Sequence, residues 1–142
     1  MNTDSLASLP FDQVLQHAAR LKLDMIEICC GNWSTAPHID LQKMLASEPA
    51  RRDLQAKLKD HGVSLSALNC SGNPLDPGPK GKLHDQVTRD TIKLASLMGV
   101  ERVVMMSGCP GAPGSQHANW ITVEWPAEVR EWLRWQWDEA LI

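Results

Sequence analysis

The sequence predicts an α/β protein of consecutive strand–helix units, read as part of a (β/α)8 barrel: about three parallel strands with four helices, in the order α-β-α-β-α-β-α. Three observations predict it. The apolar period switches repeatedly between that of a helix and that of a strand. Helix-to-strand connections are a few residues long while strand-to-helix connections are long. Only three strand-like runs occur in 142 residues, whereas a closed barrel takes about eight strands and an open doubly wound sheet about five.

Phe11, Val14, Leu15 and Ala18 recur at helical spacing, with Pro10 just before them where a missing N–H does no harm. Met25 to Cys30 is a short β-rich run. Alternation puts Ile26, Ile28 and Cys30 on one face and Met25, Glu27 and Cys29 on the other. Asp40 is placed to cap a short helix carrying Leu41, Met44 and Leu45, and Ser47 with Pro49 reads as a second start. The stripe Ala50, Leu54, Leu58 follows and ends at His61-Gly62, with the glycine in the left-handed position after the helix.

Val63 to Cys70 is the next strand. Val87, Thr91, Leu94, Ala95 and Met98 form a helical face closed by Gly99, and Glu101 to Ser107, centred on Val103-Val104-Met105-Met106, reads as a buried strand. Trp125-Pro126 opens a last helix whose stripe is Val129, Trp132, Leu133, Gln136, Ala140 and Leu141. The helical pattern is still running at Ile142, so further strands are expected beyond it. Strands linked through helices pair in parallel. Three such strands leave two open edges, so self-association through these edges or through the Trp-rich last helix is also expected.

Composition excludes several classes. Apolar residues are 43% and charged residues 22%, a globular balance. The net charge is -3 with no Lys/Arg run, which argues against a nucleic-acid partner. No apolar run is long enough to cross a bilayer and the N-terminus has no signal-peptide pattern, so no membrane role and a cytoplasmic location are expected. Cys29, Cys30, Cys70 and Cys109 show no CxxC spacing and no two histidines show HxxxH spacing, so no metal site is assigned.

In parallel α/β proteins the ends of the strands carry the site, and the three long loops there, Gly31–Ile39, Ser71–Lys82 and Gly108–Glu124, hold Trp, His and Asn. Glu27 is a carboxylate on a strand whose faces should be apolar. It is either a polar group near a ligand or a structural ion pair or hydrogen bond. Asn69, Ser71 and Asn73 can donate and accept to hydroxyl groups, or make a turn. Ser107 and Cys109 lie in a Gly-rich loop that either presents N–H groups to a phosphate or is plain loop. His38 and His117 are strand-end loop histidines, and Trp33 and Trp120 are candidate apolar walls against a sugar ring. Trp125, Trp132, Trp135 and Trp137 are too many for one exposed helix, so some are expected to pack on the sheet.

The stretches Asp24–Ile28 with Gly31-Asn32-Trp33, Ala67–Leu75, Ser107–Gly111, Asn119-Trp120 and Trp135–Trp137 together resemble the sugar phosphate isomerase/epimerase family with the xylose isomerase-like TIM barrel fold. The resemblance implies that residues 1–142 are the N-terminal part of one incomplete barrel domain, with the first family strand missing or reduced to Leu6–Leu9. It implies a small sugar or sugar phosphate as partner, and proton transfer beside a carbonyl assisted by a divalent metal. The metal's ligands would lie on later strands, so no cofactor is expected in this segment and no activity from it alone. Two rival readings are an enzyme similar to the DNA-repair endonuclease IV, which also belongs to this fold superfamily, and a non-catalytic half-barrel that pairs with a second copy.

Overall fold

The computed structural model describes residues 1–121 and 123–141; Ile142 therefore lies outside the described residues. Strands β1 (Met25–Cys29), β2 (Ser64–Asn69) and β3 (Val103–Val104) form a three-stranded parallel sheet in the order β1-β2-β3. Between and around them run α1 (Phe11–Arg20), α2 (Leu41–Ala46), α3 (Glu48–Asp60), α4 (Pro79–Met98) and α5 (Glu128–Trp135). The protein is thus α/β with a parallel sheet. The chain divides into two compact units, residues 1–71 with 87–105, and residues 72–86 with 106 onward.

The first unit holds the sheet. Ile26, Ile28 and Leu68 are fully buried and pack with Leu15, Ala18, Leu54, Leu58 and Leu94 from the helices. The opposite face of β1 carries Met25, which is exposed, and Glu27, which is half-buried. Residues paired across a parallel sheet share a face, so Glu27 beside Ala67 and Cys29 beside Asn69 line that second face together. The register shifts between Ile26 and Glu27, where the Ser66 hydroxyl donates to the Ile26 carbonyl at 3.1 Å. The shift lets the core face resume at Ile28 opposite Leu68.

Helix ends in this unit follow local chemistry. The Asp40 carboxylate accepts from the Lys43 N–H at 3.0 Å to start α2, and the Ser47 hydroxyl accepts from the Ala50 N–H at 3.2 Å to start α3. Three helices close alike. After α3, Gly62 sits at φ +66° and the Val63 N–H returns to the Leu58 carbonyl at 3.0 Å. After α4, Gly99 at φ +67° lets the Val100 N–H reach the Ala95 carbonyl at 2.9 Å. After α1 the same turn is made by Lys22 at φ +55°, with the Leu23 N–H on the Ala18 carbonyl at 3.0 Å.

Three expectations need correction. The strand read as Glu101–Ser107 is only Val103–Val104, and Met105 and Met106 are about two-fifths exposed, at 42% and 38%. Its rungs to β2 are Leu68 with Val103 and Asn69 with Val104, so pairing stops where β2 itself ends. Leu6–Leu9 is not a reduced strand, because Thr3–Leu6 is a 3-10 turn. Instead the residues before that turn reach β1: the Glu27 N–H donates to the Met1 carbonyl at 2.8 Å, and Asn2 makes a parallel bridge with Glu27. The last helix begins at Glu128, two residues after Pro126, and continues as a π-helical turn, Gln136–Ala140.

The second unit is loop-rich. Trp125 is 80% and Trp137 62% exposed. Among the described residues, no helix is long and apolar enough to cross a membrane.

Candidate functional site

In the first unit, the side chains at the C-terminal ends of β1 and β2 form one hydrogen-bonded chain. Glu27 is its centre. Its Oε1 accepts from Asn2 Nδ2 at 2.7 Å and from Asn69 Nδ2 at 2.8 Å. Asn69 Oδ1 in turn accepts from the Ser71 N–H at 2.8 Å. Asn2 Oδ1 accepts from the Asp4 N–H at 2.8 Å, and Asn2 Nδ2 also lies 3.3 Å from Cys29 Sγ. The Ser34 hydroxyl closes the far end by donating to Asp4 Oδ1 at 3.0 Å.

These groups surround a cavity of about 290 Å³ lined by Asn2, Asp4, Cys29, Trp33, Ser34, Asn69 and Ser71. Trp33 is 56% exposed, and its backbone N–H is tied to the Ser71 carbonyl at 3.1 Å. The neighbouring Asn32, at φ +66°, donates from Nδ2 to the Cys70 carbonyl at 2.7 Å, which fixes the loop to the end of β2. Glu27 is not in an ion pair among the described residues; two amides hold its carboxylate.

Of the residues nominated from sequence, Trp33, Asn69 and Ser71 line this cavity and Glu27 organises its wall. His38 does not line it. It is 8% exposed, its Nε2 lies 3.0 Å from the Leu9 carbonyl, and its ring sits 5.8 Å from that of Phe11. Asn2, Asp4 and Ser34 escaped the sequence reading because polar residues outside a periodic segment look like any loop. Cys29 had a signal, the alternation that puts it on the Glu27 face.

Asn73, Ser107, Cys109, His117 and Trp120 belong to the second unit. Asn73 is buried and clamps one peptide. Its Oδ1 accepts from the Cys109 N–H at 2.6 Å, and its Nδ2 donates to the Cys109 carbonyl at 2.8 Å. Asn73 is therefore a loop-holding residue. Cys109 Sγ donates to the Asn119 carbonyl at 2.9 Å. The buried Gln136, read from sequence as part of an apolar stripe, reaches the carbonyls of Pro110, Gly111 and Asn119 from its Nε2 at 3.1 to 3.3 Å. Ser107, Cys109 and Trp120 line a separate, mainly apolar cavity of about 280 Å³. The His117 backbone is held by Ser115.

All four thiols are buried and free of disulfides. Burial pushes each pKa up, and for Cys30, beside Cys70 and Cys29, up to about 12. In the unfolded chain a thiol ionises near 9. Between those values the folded state holds the proton that the unfolded state has lost, so stability is full below about pH 9 and falls as pH rises. One such thiol contributes a slope on the order of 1 kcal/mol per pH unit. Urea midpoints of the reduced protein at about pH 8 and 10.5 should fall accordingly, and Cys30→Ala should flatten the decline. An unchanged slope in that variant would remove Cys30 as its source.

The implied divalent metal finds no fit here. Among the described residues, no three His, Cys, Asp or Glu side chains are grouped to hold one.

No protein-family model matches the chain. The chain is similar to the uncharacterized protein YfiH of Bacillus subtilis (strain 168), with 46% identity over 143 residues that cover 99% of this chain and 46% of that protein. The chain thus spans just under half the length of the curated relative it matches. These findings overturn the expected membership of the sugar phosphate isomerase/epimerase family. The alignment takes in nearly the whole chain, and the relative it reaches is described only as uncharacterized. The reading as a piece of such an enzyme, and the endonuclease IV alternative that came through the same superfamily, fall with it.

Proposed function

We propose that the strand-end cavity of the first unit is a binding site for a small polyhydroxylated molecule of the sugar class. The observation that carries this is the Asn2–Glu27–Asn69 wall. A carboxylate behind the wall is held by two amides instead of a cation, which fixes Asn2 and Asn69 beside Asp4, Ser34 and Ser71 as the polar lining that ligand hydroxyls would meet. Trp33 supplies an apolar face beside a polar wall, a pairing that suits a sugar ring, which is polar at its edge and apolar across its face.

The order of the sheet supports a barrel-like winding. Each strand lies beside the one before it in sequence, without the reversal that marks a doubly wound sheet. The finer reading as part of a (β/α) barrel belongs to this proposal. So does a cytoplasmic location, which the four free thiols favour.

Titration of the full chain with a panel of neutral monosaccharides and polyols, followed by calorimetry or ligand-observed NMR, tests the assignment. At least one member should bind saturably. Asn69→Ala, which also frees the Glu27 carboxylate it holds, and Trp33→Ala, which removes the stacking face, should each weaken it by about tenfold or more. Trp33 is exposed enough that its variant should fold normally, which guards against loss through unfolding. Binding untouched by both substitutions, or no saturable binding across the panel, would end the proposal.

A further inference from the structure

The same cavity has a marked sign. Asp4 lines it, and Glu27 stands behind Asn2 and Asn69; no Lys, Arg or His is among the lining residues. Neither carboxylate is in an ion pair among the described residues. Part of the donor set is already committed within the wall. Asn2 spends both of its amide hydrogens on Glu27 and Cys29. Asn69 donates to Glu27, the Ser71 N–H is used by Asn69, and the Ser34 hydroxyl hydrogen goes to Asp4. Glu27 Oε2 and Asp4 Oδ2 have no partner among the hydrogen bonds of the network.

We infer that this cavity is built against anions, so that its ligand is a neutral or amine-bearing polyol and not a phosphate ester. The inference rests on the binding reading above and narrows its ligand class. A phosphate offers only acceptors and negative charge at neutral pH. In this cavity it would meet the Asp4 carboxylate, with that of Glu27 behind the wall, and no cationic side chain among the lining residues to offset its charge. An ammonium group brings three donors and a positive charge, and gains from both carboxylates.

Matched probe sets separate the possibilities. D-glucose, D-galactose and D-mannose would each be titrated beside the 6-phosphate ester and the 2-amino-2-deoxy analogue, at about pH 7 and low salt. The amine should bind more tightly than the neutral sugar by about threefold or more, and the phosphate ester at least about tenfold more weakly. Added salt should shrink both differences by screening the carboxylates. Asp4→Asn, at a partly exposed position of the Thr3–Leu6 turn where the amide oxygen can still accept from Ser34, should reduce the preference for the amine. A phosphate ester that binds as well as or better than its parent sugar overturns the charge rule while leaving the binding reading intact. An amine preference unmoved by Asp4→Asn overturns the role given to that carboxylate. Absence of saturable binding by all the probes removes the charge rule together with the site.

Discussion

Leu68→Ala is expected to destabilise the first unit by roughly 3–5 kcal/mol, the range for a large aliphatic side chain deleted from a closed core. Leu68 is fully buried in the middle strand of the sheet. It pairs in register with Ile28 on one side and Val103 on the other, and it belongs to the cluster that includes Ile26, Leu15 and Leu94. Strands on both flanks and helices over the face leave little freedom to collapse into the gap, which places the cost high in the range. Leu68→Met keeps the volume and should cost under about 1.5 kcal/mol.

Val104→Ala is the informative contrast. It lies one residue along the adjacent strand, on the face shared with Asn69, and is 39% exposed. Its loss should stay under about 1 kcal/mol, because the residue begins with less surface removed from water. Because the chain holds two compact units, hydrogen exchange of the β2 amides is a better readout than a global melt. Protection in β2 that survives Leu68→Ala within about 0.5 kcal/mol would mean that the sheet is not held by this core.

The same residues show what was legible in the sequence. Ile26, Ile28 and Cys30 were visible as one face because alternation in a strand is a strict period, and the helical stripes around Leu15, Leu54 and Leu94 follow an equally strict one; in β2 the register shift brings both Leu65 and Leu68 to the core, which alternation alone does not foresee. Glycine marked two of the three helix ends. The third was hidden because Lys22 adopts the left-handed conformation without a residue type that announces it. The short third strand was overread because an apolar run states preference, not partnership, and Met105 and Met106 have no rung on β2 to hold them.

The candidate site was half legible for a related reason. Glu27 stood out as a carboxylate on an otherwise apolar strand, and the strand-end rule led to Asn69, Ser71 and Trp33. Asn2 and Asp4 lie more than twenty residues from Glu27 in sequence, and no local pattern links them to it. The family resemblance drew on these same strand-end residues. Short motifs of turn-forming and polar residues at a strand end recur for reasons of turn chemistry alone, so they locate a site far better than they name its reaction.

Asn73→Ala is expected to cost the second unit roughly 2–5 kcal/mol and to release the loop that follows β3. The substitution leaves both the N–H and the carbonyl of Cys109 buried without the partners they now have at 2.6 and 2.8 Å, and each stranded polar group costs about 1–3 kcal/mol. The site has no slack for a substitute contact. A Cβ added at Gly108, which is held at φ +92°, would come within 2.7 Å of Asn73 Oδ1, so the loop is already packed against the amide. Hydrogen exchange of the Cys109 amide is the direct measure and should accelerate to the rate of an open loop.

Asn73→Asp separates hydrogen bonding from shape. It preserves the acceptor for the Cys109 N–H but sets a carboxylate oxygen against the Cys109 carbonyl where an amide now donates. At neutral pH it should be nearly as damaging as the alanine. A protonated carboxyl restores the donor, so the folded state favours the protonated form. Its stability should then recover as the pH falls, and decline again as the pH rises through the folded-state ionisation. Parent-like stability of the aspartate variant at neutral pH would show that the two-point clamp is not what holds this loop.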